Sequence, residues 1–251
     1  MSQHTPEWDF YPTKIEGKAA SISLDLAIAD VAPVPELGHM LWVSIKVKEP
    51  DANGFPLREE AKILAGIEDE LVEKLHFMDA VQVARLKSDG TVDFYFYAPE
   101  NDQFEDIVLE LMEEHPDYLY ATETAEDPEW DEYLAYLYPD HYNYQSILNR
   151  RVVDQLQEAG DTLETAREVD HWLNFADEKN REAFAVAVQE KGFAVLQKGE
   201  NPDKSGLRYS INISRADKAS WEEVNRYVWE LCKLAEKFKG EFVGWGCEVV
   251  K

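Results

Sequence analysis

Glu168, Asp170 and His171 are the first residues of the chain that could do acid–base chemistry, because a carboxylate beside an imidazole orients the ring and tunes its pKa. They lie in REVDHWLNF, an alternating run that reads as a strand. His171 then shares a face with Val169, Leu173 and Phe175, while Glu168 and Asp170 point the other way. No nucleophile or metal partner stands within sequence reach, so a partly buried histidine satisfied by hydrogen bonds is expected in preference to a catalytic one. A second cluster is EDPEWDE, Glu126 to Glu132, with carboxylates at Glu126, Asp127, Glu129, Asp131 and Glu132. Alternate acids resemble a calcium loop. Glu132, however, occupies the place of the required turn glycine, and Pro128 favours a first helical turn.

The same segment interleaves Trp130, Tyr133, Tyr136 and Tyr138 with its acids. Such a surface can dock on an arginine-rich partner through charge-assisted bonds and cation–π contacts, or it can be a solvated face whose aromatics pack on an interdomain seam. Gly244-Trp245-Gly246 lacks the third glycine and the following helix of a dinucleotide fingerprint. Its glycines are expected to permit a bulge or a close backbone approach beside the indole. No phosphate loop, HExxH pair, nucleophile elbow or kinase set is present. Cys232 and Cys247 belong to no metal-spaced set, so neither metal, cofactor nor disulfide framework is expected, and a reducing cytoplasm fits. The amino-terminal MSQHTPEWDFYP has no signal-peptide pattern, and no apolar run is long enough to span a membrane.

Charge narrows the partner. The 251 residues carry 51 acidic and 25 basic side chains, formally −26. Residues 1–140 hold 32 of the acids and nine of the bases, and between Lys87 and Arg150 there is no lysine or arginine. That distribution disfavours phosphate backbones and anionic membranes and favours a basic protein surface. It also bears on VDFYFYAP, Val92 to Pro99, which on an isolated sheet could stack RNA bases. Alternation assigns Val92, Phe94 and Phe96 to a core beneath helices. Asp93, Tyr95 and Tyr97 then face outward or toward a neighbour.

The elements that position these residues follow from periodicity. Lys14 to Ala29 around Gly17 reads as a hairpin, Met40 to Lys48 as a strand and Leu57 to His76 as a helix. Asp79 to Lys87 and Val92 to Ala98 flank an Asp89-Gly90 hairpin turn. Asp102 is expected to cap a helix ended by Pro116, followed by a strand at Tyr118 to Thr124 and a short helix from Asp127-Pro128 to Tyr138. Then come a helix at Tyr144 to Glu158, a strand at Arg167 to Phe175, and a helix after Asp177 closed by Gly192. Strands at Phe193 to Gln197 and Leu207 to Ser214 are joined by a loop from Lys198 to Gly206. A Ser220/Glu223 capping box opens a long helix, and the last strand is Glu241 to Val250. Strand, helix, hairpin, helix, strand thus occurs twice. The fold class expected is α+β, two tandem ferredoxin-like βαββαβ sandwiches with antiparallel sheets, divided into 1–140 and 141–251.

The second half resembles the regulator of ribonuclease E activity B family, small bacterial proteins that inhibit that ribonuclease. The similarity lies in LAEKFKGEFVGWG (Leu234 to Gly246), in Lys191-Gly192-Phe193-Ala194-Val195, in VDHWL with Asp170-His171, and in NRRVVDQLQEAGD (Asn149 to Asp161). The first half is similar to an uncharacterised bacterial domain, domain-of-unknown-function family 695, through the hairpin Asp89 to Tyr97. Val243 stands where the regulator family carries an acid before Gly-Trp-Gly, and the second half is nearly neutral. Acid that contacts the ribonuclease would therefore come from the first half. The resemblance implies a non-catalytic cytoplasmic regulator binding a basic protein, ribonuclease E or its assembly, and the charge distribution adds the expectation of no direct nucleic-acid or membrane binding. The contact residues expected are Glu126, Asp127, Glu129, Trp130, Asp131, Glu132, Asp170, His171 and Trp245. The alternative is an enzyme or small-ligand module with a site at the interdomain seam.

Overall fold

The computed structural model describes residues 4–200 and 206–251, in two compact units, 1–144 and 145–251. In the first unit, β1 (Trp8–Ile15) and β2 (Lys18–Asp25) form a hairpin whose corner, Glu16-Gly17, has positive φ at both residues, as the right-handed twist of paired strands requires. β3 (His39–Lys46), α1 (Arg58–Leu75), β4 (Val81–Ser88), β5 (Thr91–Ala98), α2 (Phe104–Glu113) and β6 (Tyr120–Glu126) follow. The six strands lie in the order β1-β2-β4-β5-β3-β6, every pair antiparallel. Without the leading hairpin the sheet is the second-third-first-fourth arrangement of a ferredoxin-like βαββαβ unit.

One face of this sheet is the main core. Leu41, Val43, Ile45, Phe94 and Phe96 meet Leu64, Ile67, Leu71 and Leu75 of α1, and Phe104, Val108, Leu111 and Met112 of α2. The phenylalanines of β5 are thus core beneath helices, as alternation predicts. The tyrosines are not outward: Tyr95 and Tyr97 are buried on the opposite face. That face is covered by the segment after β6, a turn followed by one stretch of π-helix, Glu132–Leu137.

The second unit takes α3 (His141–Glu158) from Gln145 onward, then β7 (Arg167–Phe175), α4 (Glu178–Gln189), β8 (Ala194–Glu200), β9 (Tyr209–Asp217), α5 (Trp221–Lys237) and β10 (Gly240–Cys247). Its antiparallel sheet has the order β10-β7-β9-β8, the fourth-first-third-second arrangement of the same fold. Val169, Leu173 and Phe175 of β7 are buried with Phe184 and Val188 of α4 and Val224, Tyr227, Val228 and Leu231 of α5.

Several local expectations change. The first hairpin begins at Trp8 rather than Lys14, and Leu26–Asp30 is a 3-10 turn whose first free amide bonds to Asp25. Gln103, not Asp102, precedes α2, and no side chain caps it. Ser220 stands at the start of α5 without the capping hydrogen bond of a closed box. Asp177 does cap α4, accepting from the Asn180 amide at 2.8 Å. The loop expected from Lys198 to Gly206 starts later, since β8 runs to Glu200; residues 201–205 of it lie outside the described residues.

Candidate functional site

The acid-aromatic segment of the first unit is built by three side chains that tie it to the sheet. Asp127 accepts the Tyr97 hydroxyl at 2.5 Å and the amides of Asp131 and Glu132 at 2.8 and 3.0 Å, so this carboxylate holds the turn closed. Trp130 is 0% exposed, stacks on Tyr97 with ring centroids 4.0 Å apart, and donates its indole N–H to the Leu37 carbonyl. Tyr133 donates its hydroxyl to the Asp25 carbonyl. Trp130 and Tyr133 are therefore part of a second core layer, while Tyr138 is half-buried and Tyr136 stays 43% exposed beside the acids. What remains outside are the carboxylates of Glu126, Glu129 and Asp131, with Glu132 half-buried. Burial first, then the charges of Asp127 and Glu123, raise the Glu132 pKa.

Asp93 is the other unusual acid. It lies 8% exposed on the same covered face, accepts the Ser44 hydroxyl at 2.5 Å, and burial raises its pKa.

In the second unit alternation places the functional candidates on opposite faces. His171 points inward and is fully buried, its ring edge-on to Phe193 and Tyr227 with centroids 5.6 and 5.4 Å away. Neither ring nitrogen has a hydrogen-bond partner among the described residues, against the expectation of a satisfied histidine. Burial, assisted by the Arg215 charge, pushes its pKa down to about 3, so the ring is neutral across the physiological range. A neutral, enclosed imidazole cannot touch a partner or donate a proton to substrate. Trp245 also points inward, 7% exposed, and donates to Asn149 Oδ1 at 2.9 Å. Asn149 in turn accepts from Gln145 and donates to Asn225, a polar cluster that fastens α3 to β10 and α5. Trp130, His171 and Trp245 are therefore structural residues, since burial removes them from any contacting surface.

Asp170 faces outward on β7, and so does Trp172, which the motif reading passed over although the same alternation reveals it. Trp172 is 42% exposed on the sheet face away from the helices. Its cross-strand partner is Gly244, and Gly246 lies opposite Asp170, so the two glycines flank this face while Trp245 between them enters the core. A bulge between Phe242 and Gly244 leaves Val243 exposed, which matches the backbone irregularity expected of Gly-Trp-Gly. Among the described residues no group of three or more His, Cys, Asp or Glu is arranged to hold a metal ion. No helix among them is long and apolar enough to cross a membrane.

These observations define a tandem α+β protein of two ferredoxin-like units, with buried aromatic anchors and carboxylates at the surface. The chain belongs to the family of unknown function DUF695, whose model matches residues 6–138, and residues 146–247 match the model of the regulator of ribonuclease activity B. No curated protein matches the chain. The solved structures that align with it include the following two. One is a protein assigned as a glycine cleavage system transcriptional repressor, 11% identical over 84% of this chain and 98% of that one, with a TM-score of 0.24. The other is an unknown protein from Galdieria sulphuraria, 12% identical over 82% and 99%, with a TM-score of 0.23. Scores this low carry no argument.

Proposed function

We propose that the chain is a non-catalytic regulatory protein that docks on a basic protein surface and modulates ribonuclease E and RNA decay in the cytoplasm. The match of residues 146–247 to the regulator of ribonuclease activity B carries this reading. The division of labour is between an acidic domain, 1–140, and a regulator-like domain, 141–251. With 32 acids against nine bases, the first domain attracts a cationic partner over about a Debye length and repels phosphates. Glu126, Glu129 and Asp131 offer exposed carboxylates for that encounter, and Asp170 offers a half-buried one on the outward sheet face of the second domain. Regulation would act by occupancy, with no covalent step.

The test is retention of ribonuclease E on the immobilised full chain at two salt concentrations. Retention at low salt that falls steeply at high salt is expected. No retention, or retention indifferent to salt, contradicts the reading.

A further inference from the structure

We propose that the open face of the second unit's sheet, centred on Trp172, is a docking groove for an extended arginine-bearing polypeptide segment. Trp172 and Trp245 stand on neighbouring strands, but only Trp245 has its indole N–H satisfied in the core. The Trp172 ring reaches across to Gly246, where an added Cβ would lie 3.5 Å from Cη2. At Gly244, directly opposite Trp172, an added Cβ would meet nothing within 4 Å, and the backbone is outside the positive-φ region. Neither conformation nor packing requires glycine there. Its contribution is the empty space beside the indole.

On the other side of Trp172 the face is a depression of about 460 Å³, lined by Asn174, Gln197, Ser210, Asn212 and Val243. Beside these amides and the Ser210 hydroxyl, the depression is lined by the Glu200 carboxylate and the Gly199 backbone, which add acceptors to it. An occupant rich in N–H donors suits such a lining.

Charge selects among such occupants. The charged residues of this face are Glu168, Asp170 and Glu241 at strand positions, together with Glu200 of β8, which lines the depression. Among the described residues none of these positions carries lysine or arginine; Arg208 is exposed one residue ahead of β9. Lys198 is turned to Glu182 on α4, and Arg215 lies over Phe193 and pairs with Asp217. An arginine guanidinium can stack on an indole face, donate up to five hydrogen bonds and pair with carboxylates. A nucleobase could stack on the same ring, but the charged side chains its phosphates would meet at the strand positions of this face are all acids. The proposal rests on the regulator reading solely for the kind of partner; the groove stands on its own geometry.

The experiment follows the tryptophan indole N–H resonances of the ¹⁵N-labelled full chain, with Trp172→Phe assigning the relevant one. The probes are a decapeptide of alternating arginine and glycine and a single-stranded decamer of uridylate. The arginine peptide should move the Trp172 resonance, and Trp172→Ala and Gly244→Val should each weaken its binding by at least about tenfold. Both variants should keep the wild-type melting temperature within a few degrees. The proposal is overturned if the peptide leaves the Trp172 resonance unmoved, if both variants bind it as wild type does, or if the oligouridylate is the ligand that engages Trp172. No ribonuclease is present, so failure here leaves the ribonuclease reading standing, and the converse also holds.

Discussion

His171 shows how far a single residue's surroundings can reverse its obvious chemistry. An imidazole next to an aspartate in sequence invites a catalytic role, yet the strand turns the pair to opposite faces and encloses the ring among aromatics. Because the folded pKa is depressed to about 3 while the unfolded value is near 6.5, the unfolded state binds the proton first as pH falls. The stability contributed by the neutral ring is present above about pH 6.5 and declines below it, by up to about 1.4 kcal/mol per pH unit. His171→Phe should therefore change stability by no more than about 1 kcal/mol at pH 7. In urea titrations across pH 7 to 4 it should lose less stability than wild type.

Asp93 has the opposite sign, since burial raises a carboxylate's folded pKa and destabilises its charged form at neutral pH. That penalty fades as pH falls through the folded pKa. Asp93→Asn should melt above wild type at pH 7 and together with it below about pH 4.

At the scale of elements, two devices fasten segments that lie outside the sheets. Trp130 pins the turn after β6 at positive φ, stacked on Tyr97 and bonded to Leu37. Trp130→Ala should cost about 3–5 kcal/mol in chemical denaturation, with Tyr95 and Tyr97 becoming solvent-accessible. Asp161 and Arg167 form a buried pair: Asp161 also accepts the amides of Leu163 and Val250, and Arg167 donates to the Glu248 carbonyl, so the chain end is tied to the start of β7. The Arg167 hydrogen bond, ahead of those amides, lowers the Asp161 pKa to about 2 despite burial. Its stabilisation is fully present above about pH 3.8 and is lost as pH falls through about 2. Arg167→Ala should destabilise the second unit by about 3 kcal/mol, because it leaves a buried carboxylate unpaired.

Most of the element order was legible because periods of two and 3.6 separate cleanly in this chain, as REVDHWLNF and the α1 stripe Leu64, Ile67, Leu71 and Leu75 illustrate. Caps were less legible. Asp102 and Ser220 have the right chemistry, but whether a side chain turns back to the amides depends on the loop's path. The site was least legible, because nothing local to EDPEWDE announces that its aromatics fill a face left open by β5. Trp172 was readable from alternation, since it shares the outward face of β7 with Glu168 and Asp170 while His171 turns inward.

At the scale of the whole molecule, a unit of the family of unknown function DUF695 precedes a unit that matches the regulator of ribonuclease activity B, and under the proposed function both would act on a basic ribonuclease partner. Charge would bring the partner in, and buried aromatics would keep the docking faces rigid. The most direct measurement is the rate at which purified ribonuclease E cleaves a labelled single-stranded RNA as the full chain is added, at low and at physiological salt. The account predicts that the rate falls with occupancy of the enzyme and that raised salt relieves the effect. It also predicts that the chain alone does not retain the RNA. A cleavage rate unchanged at saturating concentrations of the chain, or one lowered only because the chain sequesters the RNA, would contradict it.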